Sequence, residues 1–517
     1  MISQVLRKTT GVSTKPAALH NSRLLNSPFS TKSKQLQLSL FKQISRPQQQ
    51  KQLIKGFTNN SIVPNKRALS TTTDSEAVQI QHKLRTSVQQ LIHQLSTKPL
   101  PTVSLNDLLK FQTKQHNDKS ANTTVMLVQN ANETLNDLFV LVGKRLMKFA
   151  KLPYIVMLNP KMALIYNTYL DTLKVLLQFV DSQMLAANST SGANVEKPDD
   201  SILLSQFDDC SYLDDFKIVT PEQNEDFINV LNKIIEMHTD NVSYLSEGFE
   251  EVNGMQLVDE KVFLNDHLKE RILMRLLAQH HIKLTSQLKE LGEGGDLGKL
   301  DSIGIIDKNI NILDLLNRSF QFVNDMAALK YDERIGMKVK TITINPDNSR
   351  TVQEIEDIGK FEDYEPIVFP YITSHIEYVF NEILKNSTRA HAENNVSEPV
   401  EALVVVNKPD LTSPDPQLYK LEVRVSDKGK GVKPEIIDKL FEYSFTTFDD
   451  QAEDDDYKTL NSGSQSANII AGMGYGLPLS LTYNKLFHGD IRLKSIYGDG
   501  TNVYLSWTGI DAKKLIE

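Results

Sequence analysis

The run from Ser374 to His391 constrains this chain more than any other. Ile376, Val379, Phe380, Ile383 and Leu384 recur at i, i+3, i+4, i+7 and i+8, the spacing of a helix that buries one stripe. Glu382, Asn386 and Arg389 recur at i, i+4 and i+7 and form a second stripe turned well away from the first. Such a helix packs on a layer with one face. Its other face aligns a carboxylate, an amide and a guanidinium, which together can seat a metal-bound phosphate; a solvated polar face is the plainer reading. Ser374 with Glu377 three residues on reads as a capping box and predicts that the helix starts there.

The surrounding pattern divides the chain. Helical spacing of apolar residues marks about 131–150 (Leu135, Leu138, Phe139, Val142, Leu146, Phe149), 162–183, 225–247 and 262–288, which predicts a bundle. A Ser/Asn/Gly/Asp-rich insertion at 186–202 and a Gly-rich stretch at 290–298 interrupt and close it. Beyond about residue 300, Met337–Asn345, Leu403–Val406 and 421–426 read as strands. Asp490–Ser495 and Thr501–Trp507 complete a set expected to be antiparallel. With the opening helix and another expected near 432–443, this is a sheet covered on one face, an α+β layer.

The first 73 residues carry 12 Lys and Arg and no Asp or Glu, with many Ser, Thr, Gln and Asn, the composition of a mitochondrial transit peptide. Removing 12 bases from the chain's 57 leaves 45 against 65 acids, so residues 74–517 carry a net charge of −20. A body so acidic excludes nucleic-acid binding through a general electrostatic footprint. Cys210 is the single cysteine, which excludes an intrachain disulfide. The chain contains no apolar run long enough to span a bilayer.

Three glycine motifs follow the opening helix. Strand 421–426 runs into Asp427-Lys-Gly429-Lys-Gly431, where an ordinary tight turn and a nucleotide contact both suit the residues. Gly472-Met-Gly474-Tyr-Gly476 opens a helix expected at Leu477–Phe487 and follows an acid-, Ser- and Asn-rich span, 449–466, that cannot pack a core. Glycines there would present backbone N–H groups to a phosphate at a positive helix terminus. No strand of a βαβ unit precedes them, so the dinucleotide reading fails, and no Walker-type motif occurs. Gly498-Asp-Gly500-Thr501 is by itself a hairpin turn.

In this order and spacing the chain resembles the GHKL superfamily of ATPases and kinases. Its wording is most similar to the mitochondrial protein kinase family, the pyruvate dehydrogenase kinases and branched-chain 2-oxoacid dehydrogenase kinases. The motifs that carry the likeness are Glu382-Ile-Leu-Lys-Asn-Ser-Thr-Arg-Ala, Phe441-Glu-Tyr-Ser-Phe-Thr-Thr447, Gly474-Tyr-Gly-Leu-Pro and Gly500-Thr-Asn-Val-Tyr-Leu. It continues upstream in Ser104-Leu-Asn-Asp-Leu-Leu, His238-Thr-Asp-Asn-Val-Ser-Tyr-Leu-Ser-Glu-Gly and Arg271-x-x-x-Arg275-Leu-Leu-Ala-Gln-His-His281.

The resemblance implies an α+β protein: an N-terminal four-helix bundle, residues 74–300, then a GHKL-type (Bergerat) α/β sandwich ATP-binding domain, 301–517, with a mobile lid at about 448–475. It implies Glu382 as general base, with Lys385 and Arg389 beside it in the catalytic group, and Asn386 as the ligand of an ATP-bound Mg²⁺. Asp427 would hold the adenine amino group, assisted by Thr501. Gly429, Gly431, Thr446, Thr447, Gly472, Gly474, Tyr475, Gly476 and Leu477 would shape the nucleotide pocket. Further implications are a K⁺ ion, a homodimer, the E1α subunit of the pyruvate dehydrogenase complex as substrate, and contact with its E2 lipoyl domain. The branched-chain complex is the alternative target. Paired His280-His281 on a bundle helix keep a histidine-kinase-like protein open as another class, beside a non-catalytic ATP-binding protein. The chain departs from the family at Lys430, where a third glycine is usual, and at Leu481, where an arginine is common. It also ends at Glu517 without the Asp-Trp tail of typical pyruvate dehydrogenase kinases.

Overall fold

The computed structural model describes residues 74–110, 123–189, 213, 215–239, 244–245, 248–249, 251, 259–291, 297–360, 364–413, 415–443, 445 and 474–516. The expected transit segment 1–73, Cys210, Thr446, Thr447, Gly472, the insertion at 449–466 and most of that at 186–202 lie outside them. By contacts the chain falls into two units, Met1–His82 and Lys83–Glu517. Within the first, the described residues form the opening turns of α1 (Asp74–Thr97).

Four long helices, α2 (Thr123–Ala150), α3 (Pro160–Ser189), α4 (Pro221–Met237) and α5 (Glu260–Leu291), pack against one another in the second unit. All six apolar positions read from 131–150 lie in one buried core with Leu173, Phe227, Leu264 and Leu268. The third helix stops at Met237, ten residues short of the expected end. Arg271 of α5 donates to the carbonyls of His238 and Thr239, satisfying acceptors that the ended helix leaves over.

The sheet that follows has six strands in the order β4-β3-β6-β7-β9-β8. They are β3 (Met337–Ile344), β4 (Arg350–Ile355), β6 (Val400–Asn407), β7 (Leu418–Asp427), β8 (Asp490–Ile496) and β9 (Gly500–Asp511). The expected all-antiparallel set is corrected to a mixed sheet, because β3 and β6 pair in parallel through a helical crossover. A small sheet of β1 (Ser302–Ile303), β2 (Ile306–Asn311) and β5 (Val368–Tyr371) is hydrogen-bonded separately from it, with β5 lying against β7 and β9. Two helices, α6 (Ile312–Tyr331) and α7 (Thr373–Glu393), pack on each other, and α7 also packs on β7.

The first stripe of α7 behaves as its spacing requires. Ile376, Val379, Phe380, Ile383 and Leu384 are at most 1 % exposed and share a core with Val404, Val423, Leu505 and Trp507. Phe380 meets the Trp507 ring edge-on, with centroids 5.7 Å apart. Burying one such side chain contributes about 1.5–3 kcal/mol. The expected capping box is corrected: the helix begins at Thr373 with Ile372 at the cap position and no side-chain cap. The chain enters α7 straight from β5, and the His375 N–H finds the Ile372 carbonyl instead. The helix expected near 432–443 shrinks to a single turn, Pro434–Ile437, with no buried residue. Without an apolar stripe to bury, nothing extends it.

Candidate active site

Glu382 sits midway along α7, in its third turn, 5 % exposed, on the border between the buried stripe and the open face. Lys385 Nζ lies 2.8 Å from each of its two carboxylate oxygens. Tyr378, one turn earlier, is buried with a hydroxyl that has no hydrogen-bond partner among the described residues. Burial, then the Glu382 charge and the neighbouring Tyr483 and Tyr443, push its pKa well above the ordinary tyrosine value, so it is protonated. Asn386 is exposed and makes no hydrogen bond with the described residues. Arg389 is turned along the helix, its Nε donating to Glu393 at 2.5 Å.

The second glycine motif meets this helix directly. Helix α8 (Gly476–Leu486) starts at Gly476, where a Cβ would stand 2.1 Å from Glu382 Oε2. Only glycine lets the carboxylate lie against the opening turn of α8. The preceding Tyr475 is fully buried and packs on Tyr443 at 5.5 Å, while Leu477 is half-buried against the sheet core. Gly474, at φ +75°, lies against the Phe445 backbone, so the two residues flanking 446–473 are neighbours.

Asp427 ends β7 and is 7 % exposed. Burial lifts its carboxyl to about 6, against hydrogen bonds from the Gly429 and Thr501 backbones and the Ser387 hydroxyl. Thr501 is its cross-strand partner on β9. The Thr501 hydroxyl pairs with Ser495 at 2.9 Å, and Ser495 also accepts from the Val432 N–H at 2.8 Å. His391 accepts from the Lys428 N–H at 2.9 Å, and Gly429 passes so close to Ala390 that a Cβ would meet the alanine's at 2.7 Å. Gly431, at φ +70°, completes the turn. The turn after β7 is therefore fastened both to α7 and to the β8–β9 hairpin.

The motif residues are thus brought to two connected places: Glu382 and Lys385 beside Gly476, and Asp427, Gly429 and Gly431 beside Thr501, with α7 running between them. Three fastening residues were not foreseen: Ser387, His391 and Ser495. The first two had a signal, since 387 and 391 continue the buried stripe at i+4 from Ile383 and Ser387. A polar residue on a core-facing stripe needs a partner inside. Ser495, on a hairpin strand, had none.

These residues fit a magnesium nucleotide whose metal takes most of its ligands from phosphate and water. Among the described residues no group of three or more His, Cys, Asp or Glu could hold an ion by itself. An exposed amide without a partner, as at Asn386, is a donor that such a hard ion accepts. The histidine pair of α5 is placed otherwise. His281 is held between Asn130 and Asn224 at 2.9 and 2.8 Å, and His280 lies against Gly304; they are 0 % and 3 % exposed. Neither is open to phosphorylation.

Comparison with known proteins agrees with this geometry. Residues 102–307 match the family described as mitochondrial branched-chain alpha-ketoacid dehydrogenase kinase. Residues 372–508 match the histidine kinase-, DNA gyrase B- and HSP90-like ATPases. The chain is 27 % identical over 430 residues to a mitochondrial [pyruvate dehydrogenase (acetyl-transferring)] kinase 1 of Saccharomyces cerevisiae, covering 83 % of this chain and 89 % of that one. It is 29 % identical over 300 residues to the human isozyme 4, covering 56 % and 63 %. With the corresponding kinase of Ascaris suum it shares 25 % over 394 residues, covering 74 % and 79 %. Helical region, ATPase sheet and motif order together make the chain similar to the mitochondrial kinase family of the GHKL superfamily that comprises the pyruvate dehydrogenase kinases and branched-chain 2-oxoacid dehydrogenase kinases, ATP-dependent protein kinases.

Proposed function

We propose that this chain is a mitochondrial-matrix protein serine kinase that uses Mg-ATP to phosphorylate, and so inactivate, the E1α subunit of the pyruvate dehydrogenase complex. The observation that carries the reading is the buried Glu382, held against Gly476 at the opening of α8, one turn from Asn386, an exposed amide without a partner among the described residues. Phosphoryl transfer asks a protein mainly for positioning and charge neutralisation. In this reading Asp427 and Thr501 take the adenine end, with Gly429 and Gly431 shaping the turn beside it. Gly474, Tyr475, Gly476 and Leu477 would border the phosphates, and Gly472, Thr446 and Thr447, outside the described residues, count among the nucleotide-binding residues by the resemblance alone. Asn386 would hold the Mg²⁺, which supplies charge neutralisation when bound. Glu382 accepts the substrate hydroxyl's proton as its oxygen bonds to the γ-phosphorus and the bond to the β-phosphate oxygen breaks. Lys385 and Arg389 set the local charge.

The reading extends to a transit peptide in residues 1–73, a helical domain over 74–300, an ATP-binding domain over 301–517 and a homodimer. A bound K⁺ and contact with the E2 lipoyl domain belong to it as well. A dianionic phosphoserine near the target's cofactor site is the physical basis of inactivation. The names of the relatives from yeast, human and Ascaris support the pyruvate complex. The family description matched over 102–307 favours the branched-chain complex as a second reading.

Incubating the full chain with purified pyruvate dehydrogenase complex, in parallel with the branched-chain complex and labelled ATP, tests both. Label on E1α of the first, with dehydrogenase activity lost in step and Glu382→Gln at least a hundredfold slower, is the expected result. Equal labelling by wild type and Glu382→Gln removes the base assignment, and labelling of the branched-chain subunit alone exchanges the two targets.

A further inference from the structure

As it stands, Glu382 cannot serve a substrate. One ammonium engages both of its oxygens at 2.8 Å, Oε2 also lies against Gly476, and the side chain is only 6 % exposed. A hydroxyl approaching from solvent finds no open side of the carboxylate. Lys385 must leave before the carboxylate can receive anything.

Lys385 is placed to leave. Its side chain is 27 % exposed, and in sequence it stands directly before Asn386, the exposed amide with no partner among the described residues. Its nitrogen therefore sits between a buried single charge and the open face of α7. A lysine carries a compact charge on a flexible stem with freely rotating donors, which suits a hand-over between anions better than the rigid fork of an arginine. The exchange partner must outweigh one carboxylate, and a triphosphate carries several negative charges.

We propose that Lys385 is an exchangeable counter-ion: it neutralises and covers Glu382 while no nucleotide is bound, and swings to the nucleotide's phosphates when they arrive, baring the carboxylate. The proposal rests on the nucleotide reading of this site given above. The base is thereby unmasked only when the phosphoryl donor is in place, which limits idle encounters between substrate and an empty kinase. The ion pair then opposes nucleotide binding, because Lys385 has to be pulled away from Glu382.

The test is a double-mutant cycle on nucleotide affinity in the full chain, by calorimetric titration with Mg²⁺ and a non-hydrolysable ATP analogue. Glu382→Gln frees Lys385 in advance and should bind the analogue about three- to tenfold more tightly than wild type. Lys385→Gln should bind several-fold more weakly, and adding Glu382→Gln to it should give no gain. Glu382→Asp, one methylene shorter and still charged, is the second variant, should Glu382→Gln not fold as judged by its thermal melt. It loosens the two-oxygen contact and should also tighten binding, by less. Wild-type binding with unchanged or weaker affinity in the Glu382 variants overturns the exchange and leaves the nucleotide reading standing. No heat from the wild type removes both.

Discussion

At the scale of single residues, the carboxyl of Asp427 makes the sharpest statement. Burial raises its pKa from 3.8 to about 6, so in the folded protein the charged form is the costly one. The sign follows: ionising this group opposes folding, with the cost growing from about pH 4 and reaching its full value above about pH 6. An adenine amino group donating to the carboxylate needs the ionised form. Nucleotide affinity should therefore rise roughly tenfold between pH 5 and pH 7, as the ionised fraction climbs through a pKa of about 6. Titrations across that range check it; an affinity indifferent to pH contradicts the assigned contact. Gly476 supports a second expectation. Since a Cβ there would stand 2.1 Å from Glu382 Oε2, Gly476→Ala must push the carboxylate aside. If Glu382 is the base proposed above, misplacing it by about 1 Å costs on the order of a hundredfold, so turnover should fall by about that much. Wild-type kcat in Gly476→Ala would separate Glu382 from the chemistry.

Elements show what periodicity can and cannot reveal. The buried stripe of α7 was legible because five apolar residues at helical spacing leave few ways to pack. Helix α6 is equally legible in the sequence. Asn311 caps it by accepting from the Leu313 N–H at 3.2 Å, and Leu315, Leu316, Ser319, Phe320, Val323 and Ala327 form its buried stripe. The short β2 and β5 gave no such signal, since β5 is four residues long and its pairing with β2 spans more than fifty residues of chain. The parallel pairing of β3 with β6 was hidden for the same reason: strand direction is set by the connection, not by alternation. Glu382, Asn386 and Asp427 could be picked out because chemistry-bearing types stood at helix or strand-end positions, whereas Ser495 acts only through neighbours that folding brings to it. Packing of α7 on the sheet carries a prediction of its own. Phe380→Ala, which empties the space beside Trp507, should cost about 3–5 kcal/mol in chemical denaturation. A loss below about 1 kcal/mol would mean that this contact does not hold α7 in place.

Across the molecule the buried histidines set the response to acid. His238, His281 and His375 are pushed down to about 3, His280 to about 4, and His267 well below its usual value, in every case chiefly by burial. Each is neutral in the folded state and regains a pKa near 6.5 on unfolding. Their contribution is therefore intact above pH 6.5 and is lost as pH falls, by up to about 1.4 kcal/mol per histidine per pH unit. Because His238, His267, His280 and His281 lie in or beside the helical region, that region should lose its fold first between about pH 6.5 and 5. Far-ultraviolet dichroism of the nucleotide-free protein over that range checks this, and a melting temperature that holds steady down to pH 5 contradicts it.

In the proposed function the nucleotide lies along α7, with its adenine at Asp427 and its metal-bearing phosphates at Asn386. A crystal structure with Mg²⁺ and a non-hydrolysable ATP analogue measures it most directly. The expected density places the adenine amino nitrogen about 3 Å from the Asp427 carboxylate and the metal about 2.1 Å from Asn386 Oδ1. Nucleotide found away from α7, or bound there with neither contact, would contradict it.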